Sequence, residues 1–185
     1  MNYVNADGTT KLVVDDFNVK LDIIRVNYSM WKLFAPYHYL SASLNKSARC
    51  FCAYWDNEPV AFIAILPQPS GAFKNGWRVS RLVVLPDYQG LGIGIAMLNY
   101  FGSLVTAVND GRLYVRTMHP AIGTYGIKHK GIWQETSHSR KVQDKAKGFK
   151  NYTWGNKRMC YAFKYIGKRV SSEEAELFYH VWAES

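Results

Sequence analysis

Three glycines in five positions, Gly90, Gly92 and Gly94, stand where an apolar run meets a helix-like segment in "LPDYQGLGIGIAMLNY". Glycine costs about 1 kcal/mol more than alanine in a helix, so seeding a helix start with three of them needs a local reason. A strand, a short turn and a glycine-laden helix start together make an anion site. First-turn N–H groups lack intrahelical partners, and the helix dipole places about half a positive charge there. Glycine lets the backbone approach a phosphate and adopt positive φ. Tight helix packing explains one glycine but not three in alternation. Two phosphate loops fail the spacing. A Walker loop needs GxxxxGK[ST], and no Lys-Ser or Lys-Thr follows. A dinucleotide fold needs GxGxxG, but Ile95 stands three after Gly92, and Asp110 falls in a turn rather than at a strand end.

The segments around this turn alternate between strand and helix periods. "FNVKLDIIRV" alternates as a half-buried strand, and Trp31, Leu33 and Phe34 in "SMWKLFAPYHYL" have helical spacing. Pro36 breaks or restarts that helix. "ARCFCAYW", the turn "DNEP" and "VAFIAIL" read as a hairpin, and "WRVSRLVVL" as the strand before the glycines. The spacing predicts a helix over 92–108, a strand in "RLYVRTM", a helix from Pro120 and a last strand in "RMCYAFKYIG". "SSEEAELFYHVWAE" reads as a helix capped by Ser171 or Ser172, with a stripe of Leu177, Phe178, Val181 and Trp182. Residues 1–16 are polar and are expected to form a flexible arm, with 17–185 a single domain.

No apolar run approaches the roughly 18 residues of a membrane span, and the N-terminus lacks a secretory pattern, so no membrane partner is expected. Cys50, Cys52 and Cys160 form neither an even disulfide set nor a metal knuckle. A reduced cytoplasm and no metal are the expectation. The charge is uneven: Lys128 to Arg169 holds twelve Lys or Arg against two acids, a balance of +10, while the remainder balances at −1.

The glycine stretch resembles the Q/R-x-x-G-x-G/A motif of the GNAT acyltransferase superfamily. It is present as Gln89, Gly90, Leu91, Gly92, Ile93 and Gly94, preceded by L-x-V-x-P in Leu82, Val84 and Pro86. The order of elements from residue 17 to about 165 is similar to that family's. The resemblance implies an α/β fold with a mixed, largely antiparallel central sheet flanked by helices, here with a basic loop before the last strand and a C-terminal helix. It implies acetyl-CoA, or another acyl-CoA, as cofactor. Gln89 to Gly94 would hold the pyrophosphate through N–H groups. Leu82, Val83 and Val84 would pair with the pantetheine amides, one N–H polarising the acyl carbonyl. An amine would attack the thioester directly, with most of the catalysis in positioning.

The expected acid–base groups are displaced. Where many members carry a glutamate early in the fourth strand this chain has Arg78, which cannot accept a proton. Ser80, on the same strand, is a candidate for ordering a water. The family's frequent tyrosine slot holds Ile127, and Tyr125 is the nearest phenol to protonate the leaving thiolate, against a packing role. His119 opens the same helix and is a candidate for acid or base chemistry. "YHYL" offers His38 as base or substrate contact, with Tyr39 beside it; it loosely resembles the "HY" element of Mom-type phage proteins, GNAT relatives that modify adenine in DNA.

"SRKVQDKAKGFKNYTWGNKR" interleaves bases with aromatics, the composition of a nucleic-acid contact: Arg140, Lys141, Lys145, Lys147, Lys150, Tyr152, Trp154, Lys157 and Arg158. An acidic protein partner and plain solubility are the rival readings of that loop. Three functions follow. The first is acyl transfer to an amine on nucleic acid, either a base in DNA or an aminoacyl-tRNA. The second is a GNAT enzyme acting on a protein or small-molecule amine. The third is a non-catalytic nucleic-acid-binding module that keeps the fold.

Overall fold

The computed structural model describes residues 3–4, 10–16, 19–38, 43–68, 74–108, 110–142 and 159–183. Its sheet grows by short reversals. β1 (Tyr3–Val4) pairs β2 (Thr10–Asp16), and β2 runs antiparallel to β3 (Val19–Val26) from Leu12↔Ile23 to Asp16↔Val19. The stretch expected to be a free arm therefore contains two strands. "TKLVVDD" is rich in β-branched and alternating residues, and an antiparallel neighbour satisfies its backbone.

After β3 the chain takes a 3-10 turn at Tyr28–Met30, the single turn α1 (Trp31–Phe34) and a second 3-10 turn at Ala35–Tyr37. Asn27 caps the start through its side chain on the Ser29 N–H, 3.0 Å. Trp31 and Phe34 are buried, but Leu33 faces solvent, so the expected apolar face is narrower than its spacing suggested.

β4 (Arg49–Trp55) and β5 (Glu58–Pro67) form the predicted hairpin. Asp56 and Asn57 take positive φ, 50° and 67°, the two-residue turn whose twist matches a hairpin. β5 is buried on both faces, which explains its unbroken apolar sequence. One face, with Phe62 and Ala64, packs with Cys50, Cys52 and Val83 under Trp31 and Phe34. The other, with Ile63 and Ile65, packs under a long helix.

β6 (Gly76–Val84) leads through a 3-10 turn, Pro86–Tyr88, into that helix, α2 (Ile93–Ala107). β7 (Arg112–Thr117), α3 (Pro120–Lys128), β8 (Trp133–Glu135), β9 (Lys141–Val142), β10 (Met159–Tyr165) and α4 (Ser172–Ala183) complete the order. Ser171 caps α4 through Oγ on the Glu174 N–H, 3.2 Å. Phe178 is fully buried, whereas Leu177 is exposed. The strands lie in the order β1-β2-β3-β4-β5-β6-β7-β10-β8, with β9 also on β10. Every described neighbour pair is antiparallel except β6 with β7. This is the mixed, largely antiparallel sheet that the resemblance implied.

Three aromatic side chains of β10 sit against glycines of the helices above them. Tyr165 lies on Gly102 of α2, and Tyr161 and Phe163 lie on Gly123 and Gly126 of α3. A side chain at any of the three glycines would collide with a ring. Among the described residues no helix is long and apolar enough to cross a membrane.

Candidate active site

The site begins where β6 leaves its neighbours. Across β5, Ala64 faces Arg81 and the next residue, Ile65, faces Val79, so Ser80 is an extra residue, a β-bulge. A bulge bends its strand and increases the local twist. On the other edge, β7 pairs β6 only from Gly76↔Arg112 to Arg78↔Tyr114. Beyond that point the two parallel strands diverge, leaving a cleft of about 970 Å³ outside their carboxyl ends. Leu85 donates its N–H to Val60 O on β5, 2.9 Å. Backbone alternation then turns the peptide groups of Val84 and Leu82 away from β5 and toward the opening. Val83 is in register with Phe62, and its side chain is buried on the α1 side.

The glycine turn closes one end of the cleft. Gly90 and Gly92 have φ of +84° and +83°, the left-handed region that costs other residues roughly 1–2 kcal/mol. Gly92 is the N-cap of α2, with no side-chain cap and no acid in the first turn. Open space surrounds the position a Cβ would take at Gly90. Gly94 is different: it is helical, and an added Cβ would meet Val84 Cγ2 at 3.4 Å, an ordinary contact. Gln89 Nε2 donates to Val84 O, 2.9 Å, tying the turn to the end of β6. The result is a set of first-turn N–H groups, left uncapped by side chains, at the mouth of a groove edged by strand amides. A diphosphate with an amide-bearing arm fits that donor set.

The model of the acetyltransferase (GNAT) family matches residues 17–126, more than half of the chain. The chain belongs to the acetyltransferase (GNAT) family. Among solved structures it is similar to an IAA acetyltransferase from Bacillus cereus (15% identity, TM-score 0.57, 79% of this chain and 99% of that one). It is also similar to Naa50 from Arabidopsis thaliana in complex with the bisubstrate analogue CoA-Ac-MVNAL (17%, 0.55, 78% and 97%). A third is the spermidine/spermine N-acetyltransferase SpeG from Vibrio cholerae (8%, 0.57, 78% and 91%). At these identities the likeness is one of fold. No curated protein sequence matches the chain.

Around the GNAT cleft the structure brings together Leu82, Val83, Val84, Gln89, Gly90, Gly92, Ile93 and Gly94 with His38, Ser80 and His119. Leu91 is exposed and does not line it. His38 lies edge-on to Trp31, ring centroids 5.5 Å apart, and so is held by the α1 segment on the far wall. His119 is the N-cap of α3, and its N–H goes to Thr117 Oγ1, 3.0 Å. Tyr125 points elsewhere. Asn99 Nδ2 donates to its hydroxyl, 2.8 Å, Trp133 Nε1 donates to Asn99 Oδ1, 2.9 Å, and the ring stacks on His129, 3.9 Å between centroids. It serves packing between α2, α3 and β8 and does not line the cleft. Arg78 lies outside the cleft as well.

Of the basic residues, Arg140 forms a two-pronged bond with Glu135, Nε–Oε1 2.9 Å and Nη2–Oε2 2.7 Å. The Arg140 guanidinium holds that carboxyl below the usual range. Arg140 is thus committed to the strap between β8 and β9. Lys141 is exposed on β9, in register with Cys160. Tyr39, Lys145, Lys147, Lys150, Tyr152, Trp154, Lys157 and Arg158 lie outside the described residues. The stretch 143–158 leaves and rejoins at Val142 and Met159, which face each other across β9 and β10. Met159 lines the cleft.

Sequence reasoning missed Tyr37, Arg81, Tyr88, Arg116, Thr117, Met118 and Tyr161, all on the cleft wall. A signal for some existed: ligands of sheets with parallel strands sit outside the carboxyl ends at the point where strand order changes, which singles out 116–119. Arg81 donates to Ser80 O and Ser43 O, both 2.7 Å, fastening the bulge to the segment after α1. Arg116 Nε reaches Cys160 Sγ, 3.1 Å. Among the described lining residues there are two arginines and two histidines and no carboxylate.

Proposed function

We propose that this GNAT protein transfers an acetyl group from acetyl-CoA to an amine on a nucleic acid. One observation supports the cofactor half: uncapped amides of a doubly left-handed glycine turn meet the outward edge of a splayed strand. In this reading Gly90 to Gly94 hold the pyrophosphate, Gln89 braces their turn, and Leu82 and Val84 bind the pantetheine amides. Bound there, the cofactor supplies an activated acyl thioester. In the same reading an N–H of β6 near the Ser80 bulge would polarise its carbonyl. His38 takes or relays the proton of the amine, and His119 is the titratable group across the cleft.

The acceptor half rests on charge. Arg81, Arg116, His38 and His119 line the cleft without an acid, which disfavours a polycationic acceptor and favours a polyanionic one. In sequence the basic, aromatic stretch 143–158 joins Val142 to Met159, which pair across β9 and β10, and Met159 lines the cleft. An exocyclic amine of a base is neutral at pH 7 and would need no strong base, consistent with Arg78 standing where a glutamate is usual. A protein or small-molecule amine is the second reading, favoured by the Naa50 and IAA acetyltransferase likenesses.

The test is incubation with acetyl-labelled cofactor and, separately, tRNA, single-stranded DNA and total protein. Label retained on nucleic acid supports the proposal. Label on protein alone selects the second reading, and label on none refutes the nucleic-acid acceptor and the protein form of the second reading.

A further inference from the structure

The extra residue in β6 changes which way the side chains after it point. Val79, Leu82 and Val84 all pack with the cluster under α2, whereas Val83 belongs to the cluster under Trp31 and Phe34. Val79 and Leu82 are three apart, so a regular strand would send them to opposite faces. The bulge at Ser80 brings them to the same one. Arg81, two before Val83, is thereby turned to the α1 face. There its guanidinium joins two separate pieces of chain. Nη1 donates to Ser80 O on the bulge and Nη2 to Ser43 O, both 2.7 Å. The guanidinium carbon lies 6.0 Å from the centre of the Trp31 ring. Trp31 packs on Phe62 of β5, 5.4 Å between centroids, and takes His38 edge-on at 5.5 Å. Arg81 thus meets the segment bearing His38 on both sides, at Trp31 before it and at Ser43 after it.

We infer that Arg81 is a positioning residue for acyl transfer: it sets the β6 bulge, on the donor wall of the cleft, against His38 on the opposite wall. The planar guanidinium offers its donors in a rigid fork, so two carbonyls on different segments are locked into one arrangement. The peptide carrying Ser80 O is itself planar, so fixing that oxygen also fixes the Arg81 N–H on its other side. Direct attack needs the reacting atoms about 3–3.5 Å apart, and a misplacement of about 1 Å can cost 100-fold in rate. A purely electrostatic role would ask only for a positive charge at this place, and lysine would supply it. A purely structural role would lower stability without touching the chemistry. The inference deepens the acyl-transfer reading and rests on it, and on His38 as the group that takes or relays the proton.

The experiment uses the full chain and compares Arg81→Lys, which keeps the charge, with Arg81→Met, which keeps an unbranched stem over Trp31. Each is made alone and together with His38→Ala. For transfer of labelled acetyl to tRNA or single-stranded DNA, kcat should fall roughly 10- to 100-fold in both Arg81 variants, with KM for acetyl-CoA within about threefold of wild type. In the His38→Ala background the same changes should cost less than about twofold more, because Arg81 acts through His38. A second readout needs no acceptor. The His38 ring-proton NMR signals, displaced by the ring current of Trp31 and assigned by their loss in His38→Ala, should move toward the free-histidine position in both Arg81 variants. Wild-type kcat in Arg81→Lys, or full additivity with His38→Ala, overturns the positioning role. Unmoved His38 signals overturn it whatever the acceptor. Moved signals with an undiminished rate in His38→Ala uphold the contact and overturn instead the proton-relay reading of His38.

Discussion

Gln89 donates its side-chain amide to the carbonyl of Val84, 2.9 Å away, and so bridges the end of β6 and the start of the glycine turn. The same carbonyl belongs to the peptide edge facing the opening. One bond therefore couples the two surfaces that are proposed to grip the two ends of the cofactor. Gln89 is exposed, so the bond is worth about 0.5–1.5 kcal/mol. Gln89→Ala should weaken acetyl-CoA binding roughly 2- to 10-fold by calorimetry, with melting temperature little changed. Arg at 89 keeps a donor and should restore most of the affinity; equal loss in both variants would refute the bracing role.

The three glycines should respond unequally. Gly92 has φ +83°, so Gly92→Ala forces roughly 1–2 kcal/mol of backbone strain or reshapes the turn. Acetyl-CoA affinity should fall by about tenfold or more. At Gly94 a Cβ meets Val84 Cγ2 at ordinary contact distance, and the position is helical. Gly94→Ala should bind the cofactor within about threefold of wild type and melt no lower, since alanine favours helix.

The fold was legible because its cues are local. The Asp56–Asn57 turn, the apolar run of β5 and the glycine junction each carry a backbone requirement written in adjacent residues. Residues 10–16 were misread because a polar-looking segment becomes a strand only when β3 supplies its partner, which no local window contains. The setting of Tyr125 was hidden for a related reason. Sequence offered it as the nearest phenol on α3, but Asn99, twenty-six residues earlier, decides where the hydroxyl goes.

The buried thiols make the protein sensitive to alkali. Burial pushes Cys50 up to about 11 and Cys52 up to about 12. Thiols raised above the unfolded value near 8.5 contribute stability fully below that pH and lose it as pH climbs toward the folded values. Melting temperature should therefore hold from pH 7 to about 8.5 and fall above it. Cys50→Ala with Cys52→Ala should flatten that decline. In the native protein at pH 8 both thiols should resist a disulfide reagent that labels them at once in denaturant. Rapid native labelling of either would contradict their burial.

Tyr125 separates a packing role from an acid role. Its hydroxyl accepts from Asn99, which in turn accepts from Trp133, so the chain of bonds joins α3 to α2 and β8. Tyr125→Phe removes one partner and leaves the Asn99 amide to find water or go unpaired, at a cost of about 1–3 kcal/mol. For a chain of this size that lowers the melting temperature by roughly 2–4 °C per kcal/mol. Turnover on the acceptor identified by labelling should remain near wild type, and its pH–rate profile should keep both limbs. Loss of the alkaline limb without a change in melting temperature would mean that the phenol reaches the reacting atoms after all. Asn99→Ala gives the independent check: it breaks the same network from α2, and it should lower stability by a similar amount while leaving the pH profile alone.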